Sequence, residues 1–401
     1  LCYTCCFDLP VEGDMAMPFN DSQLMGETWP GLASLTQSIF AGLGGQGFRN
    51  SFHLDRSQAT CLLLIDGLGW NLLQAHARHA PFLASLAQPD SRFRVGFPAT
   101  TASSLASVTS GLGSGAHGIV GCSFALDQHT ELSPLSWTTA ALQAEMQPAA
   151  APSPHSFIVP PDAWSLAAEQ GIAISTVMLG RFANSAFSQA IYKAGNILPA
   201  PAYDAYPGLV NAALEAPRPA FCFAYFGDLD FAGHLFGPGS DGWINQLQIA
   251  DQLAQAIARA LPERAQLMVI ADHGMLALDS EQVRDFDLEP ALQEGVRAIA
   301  GDIRARYLYT HEHQQDRVHE RWQNRLGDDY RVLSKAQAIA KGLFGDVMLS
   351  QAEVRIGDLI VVPTGAGGII RSEVEKHASQ WRGHHGALTD EDQVVPLLMY
   401  K

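Results

Sequence analysis

Short apolar runs recur along the chain at about residues 60–65, 174–179, 221–226, 266–271, 305–309, 356–362 and 394–400. Each has the length of a buried strand. The stretches between them read as helices. Residues 68–77 follow the first run, and 101–110 is rich in Ala, Ser and Thr with no breaker before Gly111. Residues 241–261 place Trp243, Ile244, Leu247, Ile249, Leu253, Ile257 and Leu261 at mostly helical spacing. Strands alternating with helices predict an α/β fold, a doubly wound and mostly parallel sheet flanked by helices. Residues from roughly 300 to 365 break this pattern. Arg304–Thr310 reads as a strand, Gln314–Arg325 as an amphipathic helix and Tyr330–Leu333 as a strand. A helix at 335–342 and a strand at Asp358–Val362 follow. That β-α-β-α-β order predicts a small α+β cap at 298–365, inserted into a core formed by 21–297 and 366–401, with 1–20 as a disordered leader. The Pro-, Ala- and Ser-rich segment Pro148–Pro161 reads as a loop or crossing segment.

The polar residues just past the runs carry the candidate chemistry. Asp66 follows Cys61–Ile65, Asp230 and His234 follow Phe221–Phe226, and Asp272 and His273 follow Leu267–Ala271. His385 lies in Gly383-His384-His385-Gly386. Open α/β sheets bind ligands at the carboxyl ends of their strands. Three carboxylates and three imidazoles at one edge would make two adjacent metal sites, suited to in-line displacement at phosphorus. Singly, each has a plainer reading: Asp66-Gly67 as a turn, Asp272-His273-Gly274 as a solvated loop, His234 as a core histidine. Gly67 permits a sharp turn, and Gly274 supplies the bend that lets two neighbours serve one site. Asp230 and His234, four residues apart, share a face on a helical turn. Gly233 and Gly237-Pro238-Gly239 favour a single turn there over a longer helix. Pro98 suits entry into the 101–110 helix, with Thr100 or Thr101 as its cap. A helix start favours phosphate oxygens, and a hydroxyl placed there is a candidate nucleophile.

Composition narrows the partners. The chain has 401 residues, 47% of them hydrophobic and only 16% charged, enough for a large core. Its formal net charge of -16 argues against a nucleic-acid duplex, which is bound through Lys and Arg. A small phosphate ester remains compatible, because bound cations reverse the sign locally. No run of about 18 apolar residues predicts a membrane span. Cys61 and Cys222 lie inside apolar runs and read as small buried hydrophobes. Cys2, Cys5 and Cys6 cluster in the leader without a second ligand pair for zinc. The leader shows no basic stretch followed by an apolar one, so the expected location is the cytoplasm. The chain does not begin with Met, and a removed signal peptide is compatible with the same residues.

Taken in order, the pieces resemble a known family. Leu64-Ile65-Asp66-Gly67, Phe97-Pro98-Ala99-Thr100-Thr101, His117-Gly118-Ile119-Val120, Asp230-Phe231-Ala232-Gly233-His234 with Gly237-Pro238, Ala271-Asp272-His273-Gly274-Met275 and His385-Gly386 resemble the motifs of the alkaline phosphatase superfamily. Within it they resemble the nucleotide pyrophosphatase/phosphodiesterase (type I phosphodiesterase) branch. Each motif is weak alone; six in order, spanning about 60–400, are specific. The resemblance implies an alkaline phosphatase-like core, two divalent metal ions of the zinc type and a phosphothreonine intermediate. It implies that Asp230, His234 and His385 hold one metal, and that Asp66, Asp272 and His273 hold the other with Thr101 as nucleophile. His384 competes with His385, and Thr100 and Ser103 compete with Thr101. Two positions depart from the family pattern: Thr100 stands where a Lys is usual, and Cys122 where an Asn helps hold a phosphate oxygen. A thiol is a poorer donor. The implied substrate is a small-molecule phosphate ester, nucleotides included. The rival readings are a monoesterase or phosphonate hydrolase on the same metals, and a catalytically silent metal-binding protein. Arg181 and Lys193 are the cations whose placement bears on the first rival.

Overall fold

The computed structural model describes residues 31–401, apart from 144–145, 159–161 and 218. The 1–20 leader with its three cysteines lies outside the described residues. A seven-stranded sheet runs in the order 92–94, 394–400, 265–270, 59–65, 220–226, 173–179, 196–200. The last five are mutually parallel. Strand Ala59–Ile65 is the middle of the seven and is buried along its whole length, as its unbroken apolar run requires. The fold is thus the α/β architecture expected. Helices Leu32–Gly42 and Thr101–Ser110 pack on each other, and Tyr206–Leu214, Asp228–Phe236 and Asp241–Ala260 form a second packed group.

Strand Val394–Tyr400 runs antiparallel to both its neighbours. Only nine residues separate it from His384, so the chain enters it from the end of the sheet where His385 lies and must run back down. The short strand Arg92–Arg94 and the edge strand Asn196–Ala200 carry no strong apolar run and were not legible as strands.

A second sheet, antiparallel throughout, orders 296–302, 305–310, 359–363 and 330–334. Helix Gln315–Leu326 packs on strand Tyr330–Ser334. This layer has its own core around Leu308, Trp322, Tyr330 and Leu359, which also takes in Phe286, Leu292 and Ile369 on either side of 298–365. Its strand Val296–Asp302 has no apolar run and was missed. Arg304, fully buried, ties the layer to the core sheet. Its guanidinium grips Asp392 through two contacts of 2.9 and 2.7 Å and donates to the Gly365 and Gly367 carbonyls. None of the described helices is long and apolar enough to cross a membrane.

Candidate active site

Three adjacent parallel strands deliver the acidic groups at their carboxyl ends. Asp66 follows Ala59–Ile65 directly, and its N–H still bonds to the Phe226 carbonyl at 2.9 Å. Gly67 then turns with φ +73, and a Cβ there would lie 3.1 Å from the Asp230 Cβ. The glycine therefore permits both the turn and the approach of the Asp230 strand end. Asp272 follows Ala265–Ile270; its Oδ1 accepts from the Gly67 N–H at 3.1 Å, joining two strand ends. Gly274 has a different task from a simple bend. A Cβ on it would sit 2.0 Å from the Glu391 carbonyl oxygen, so only glycine admits that segment.

Asp230 and His234 lie on a nine-residue helix, Asp228–Phe236, longer than the single turn expected. Gly233 faces Met275, where a Cβ would meet the sulfur at 2.3 Å. Close packing offsets a cost of about 1 kcal/mol for glycine inside a helix. The helix ends at Gly237, with φ +89. Its spacing brings His234 Nε2 to 3.3 Å from Asp230 Oδ2.

All three histidines show the same arrangement. His234 Nδ1 faces the Gly383 carbonyl at 2.8 Å, His273 Nδ1 the Gly274 carbonyl at 3.0 Å, and His385 Nδ1 the Ala99 carbonyl at 2.9 Å. A carbonyl only accepts, so each Nδ1 carries a proton and each Nε2 faces inward, where the neutral imidazole offers a lone pair. His273 Nε2 lies 3.4 Å from Asp66 Oδ1 and 3.5 Å from Asp272 Oδ2, and His385 Nε2 lies 3.9 Å from Asp230 Oδ1. The His273 and His385 rings stack at 3.6 Å. His384 turns away, its Nε2 at 3.1 Å from the Trp381 carbonyl.

Two clusters of ligand atoms result, each within 4.8 Å: Asp230, His234 and His385, and Asp66, Asp230 and His273. Asp230 thus stands between both, and Asp272 adjoins the second through His273. Asp66 Oδ1, Asp230 Oδ1 and Asp272 Oδ2 are buried without a hydrogen-bond partner. Three orphaned carboxylate oxygens beside three inward lone pairs are an all-acceptor set, which cations satisfy. Burial and the neighbouring Asp272 and Asp230 charges push the Asp66 carboxyl well above the ordinary range. Burial likewise lifts Asp272. Burial opposes ionisation of Asp230 too, but His234 and the other imidazoles hold it below that range. Burial, and then the stacked His273, hold the His385 pKa well below the usual imidazole range.

Thr101 opens helix Thr101–Ser110 at the edge of this set. Its Oγ1 lies 3.1 Å from His273 Nε2. Thr100 occupies the cap position, but its side chain makes no capping bond and its Oγ1 is buried without a partner. The expected Thr cap is therefore corrected: the first intrahelical bond is Ser104 N–H to the Thr100 carbonyl, and no side chain caps the turn before it. That leaves a helix start able to receive anionic oxygens. Ser103 Oγ donates to the Ile119 carbonyl, which removes it as a rival to Thr101. His117 proves structural, its Nδ1 accepting from the Ile119 N–H at 3.1 Å.

Residues 60–388 match the family described as Type I phosphodiesterase / nucleotide pyrophosphatase. The chain belongs to that family of phosphoric ester hydrolases. A venom phosphodiesterase of Naja atra is 35% identical over 74 residues, which cover 17% of this chain and 9% of the venom protein. Murine ectonucleotide pyrophosphatase/phosphodiesterase 5, as an inactive Thr-to-Ala variant in complex with AMP, has a similar structure, with a TM-score of 0.64 and 17% identity. That similarity covers 86% of this chain and 88% of the murine one. The human protein of the same name gives a TM-score of 0.61 at 16% identity, covering 85% and 87%.

In this phosphodiesterase-family chain the structure also shows a residue that sequence reading missed. Tyr225, read as plain core strand, donates its hydroxyl to Asp66 Oδ2 at 2.5 Å. Alternation along Ala220–Phe226 was the available signal, since Tyr225 breaks an otherwise fully apolar run. The cations are tied elsewhere: Arg181 pairs with Asp228, and Lys193 donates to the Ile158 carbonyl.

Proposed function

We propose that this chain is a two-metal phosphodiesterase or nucleotide pyrophosphatase that hydrolyses small phosphate esters through a phosphothreonine on Thr101. The observation that carries this is the convergence of three orphaned carboxylate oxygens and three inward-facing Nε2 atoms beside the Thr101 hydroxyl. Asp230, His234 and His385 would hold one metal, and Asp66, Asp272 and His273 the other. When bound, two divalent cations, zinc by preference of the Asp/His donor set, supply Lewis-acid polarisation at phosphorus and compensate the charge of attacking and leaving oxygens. The chain's own part follows from its geometry. The carbonyls of Gly383, Gly274 and Ala99 fix the three imidazole tautomers. Tyr225 holds one oxygen of Asp66 and turns the other inward. The uncapped first turn of the Thr101 helix receives the non-bridging oxygens. Thr101 Oγ1 loses its proton and bonds to phosphorus, and the ester oxygen leaves with a proton. Water then cleaves the Oγ1–P bond, restoring the hydroxyl and releasing the phosphate product.

The similarity to an AMP complex makes a nucleotide a reasonable first substrate, and the inactivity of that protein's Thr-to-Ala variant parallels the role given to Thr101. The 298–365 segment would act as the substrate-selecting cap. A chromogenic phosphodiester and its matching monoester, assayed with and without chelator, test the reading. Chelator-sensitive hydrolysis is expected, and Thr101→Ala should remove nearly all turnover while metal content stays intact. Full activity in that variant overturns the nucleophile. No chelator-sensitive hydrolysis of either ester favours the catalytically silent alternative.

A further inference from the structure

The first hairpin of the four-stranded layer, Val296–Asp302 followed by Ala305–Thr310, brings a fourth carboxylate to the site. A Cβ on Gly386, next to His385, would lie 3.3 Å from the Asp302 Cβ and 3.7 Å from Thr100 Cγ2. Asp302 therefore packs against Gly386, the residue after the inward-facing His385, and Thr100 lies against the same glycine. The hairpin is pinned there: Gly301 N–H donates to Ser123 Oγ at 2.9 Å, and Tyr307 donates to the Val120 carbonyl at 2.5 Å. Cys122 lies between these anchors and against the Asp302 carboxyl.

Among the described residues nothing neutralises this group fully. Asp302 Oδ2 is buried and has no hydrogen-bond partner. Arg306 is near enough to attract it, but its guanidinium is engaged by Glu375 and by the Ile369 and Gly301 carbonyls. Arg181 and Lys193 are tied to Asp228 and Ile158. A buried carboxyl oxygen left without a partner is costly, so a structural role does not account for it.

We propose that Asp302 is a specificity-determining residue that disfavours doubly charged phosphomonoesters and keeps the site selective for singly charged phosphodiesters. This rests on the phosphoryl-transfer reading above. A monoester carries close to one more negative charge than a diester at neutral pH. For a phosphoryl group about 7–10 Å from an ionised Asp302 at an effective dielectric of about 20, that charge would discriminate by about ten- to a hundredfold. Burial raises the carboxyl's pKa, opposed by the Cys122 thiol and Arg306, and the test is therefore run at alkaline pH.

The test compares the metal-loaded full chain with Asp302→Asn and Asp302→Ala at alkaline pH. It measures kcat/KM for a chromogenic diester and its monoester, and inorganic phosphate binding by calorimetry. Asp302→Asn should raise the monoester-to-diester ratio at least tenfold and tighten phosphate binding to match, with Asp302→Ala moving both the same way. A ratio and a phosphate affinity that shift less than threefold overturn the proposal. So does an equal fall on both esters, which marks a structural role. If the unaltered protein hydrolyses neither ester, the phosphoryl-transfer reading fails instead, and phosphate affinity alone still decides the role of Asp302.

Discussion

Replacing Arg304 by Met removes the cation from a fully buried pair and leaves the Asp392 carboxylate without its partner. Burial pushes that carboxyl up, but Arg304 overrides it and holds it below the ordinary range. Breaking a buried pair from one side costs about 3–5 kcal/mol. With an unfolding entropy of about 2.1 cal/mol/K per residue over 401 residues, Tm should fall by about 4–6 °C. The loss reaches the site through two bonds. Asp392 Oδ1 accepts from the Ala387 N–H at 3.1 Å, and the Asp392 carbonyl accepts from the Gly274 N–H at 2.9 Å. Those amides stand two residues past His385 and one past His273, so metal affinity should drop with stability. Calorimetric melting and metal titration read both effects. The double variant Arg304→Met/Asp392→Asn removes the stranded charge yet keeps an acceptor for Ala387, and it should recover about 1–3 kcal/mol through coupling between the two sites. A single variant melting within 1 °C of the parent, or a double variant as unstable as the two singles summed, would refute the clamp.

Three further outcomes are expected. Tyr225→Phe should weaken metal binding by about ten- to a hundredfold, as loss of an outer partner to a metal-binding carboxylate does; an unchanged binding isotherm contradicts that role. His385→Ala should lose about one equivalent of bound metal by elemental analysis while His384→Ala keeps both, and the reverse result would exchange the two residues. The third concerns pH. Asp66 and Asp272 have folded pKa values raised by burial, so their contribution to the metal-free fold is full below the ordinary carboxylate range and is lost as pH rises through the raised values. Metal binding must release those protons. The gain in Tm on adding zinc should therefore grow from mildly acidic to neutral pH, and a gain that shrinks over this range would oppose the assignment.

Much of this architecture is written locally. The apolar runs mark the strands because a parallel strand buried on both faces needs an unbroken hydrophobic sequence, as in Ala59–Ile65 and Ala265–Ile270. The helices 101–110 and 241–260 appear where their periodicity and breakers place them. The position of each Asp and His just past a run follows from the same pattern. Strands such as Arg92–Arg94 and Val296–Asp302 were not legible, because they pair at edges or in a small layer and need no continuous apolar run.

Long-range packing decided what local pattern left open. Glycine inside Asp228–Phe236 argued for a single turn, yet contact with Met275 across the fold sustains a full helix. His385 and His384 are neighbours of one chemistry, and only the Ala99 and Trp381 carbonyls separate them. Asp230 stands between both clusters, and Asp302 packs against Gly386 from a separate sheet. Local sequence specifies the residue types and the strand ends that could bear them, because burial and turn formation act over a few residues. Which lone pairs face one another is set by long-range packing, because bonds such as His234 to Gly383 and His385 to Ala99 join residues a hundred or more positions apart.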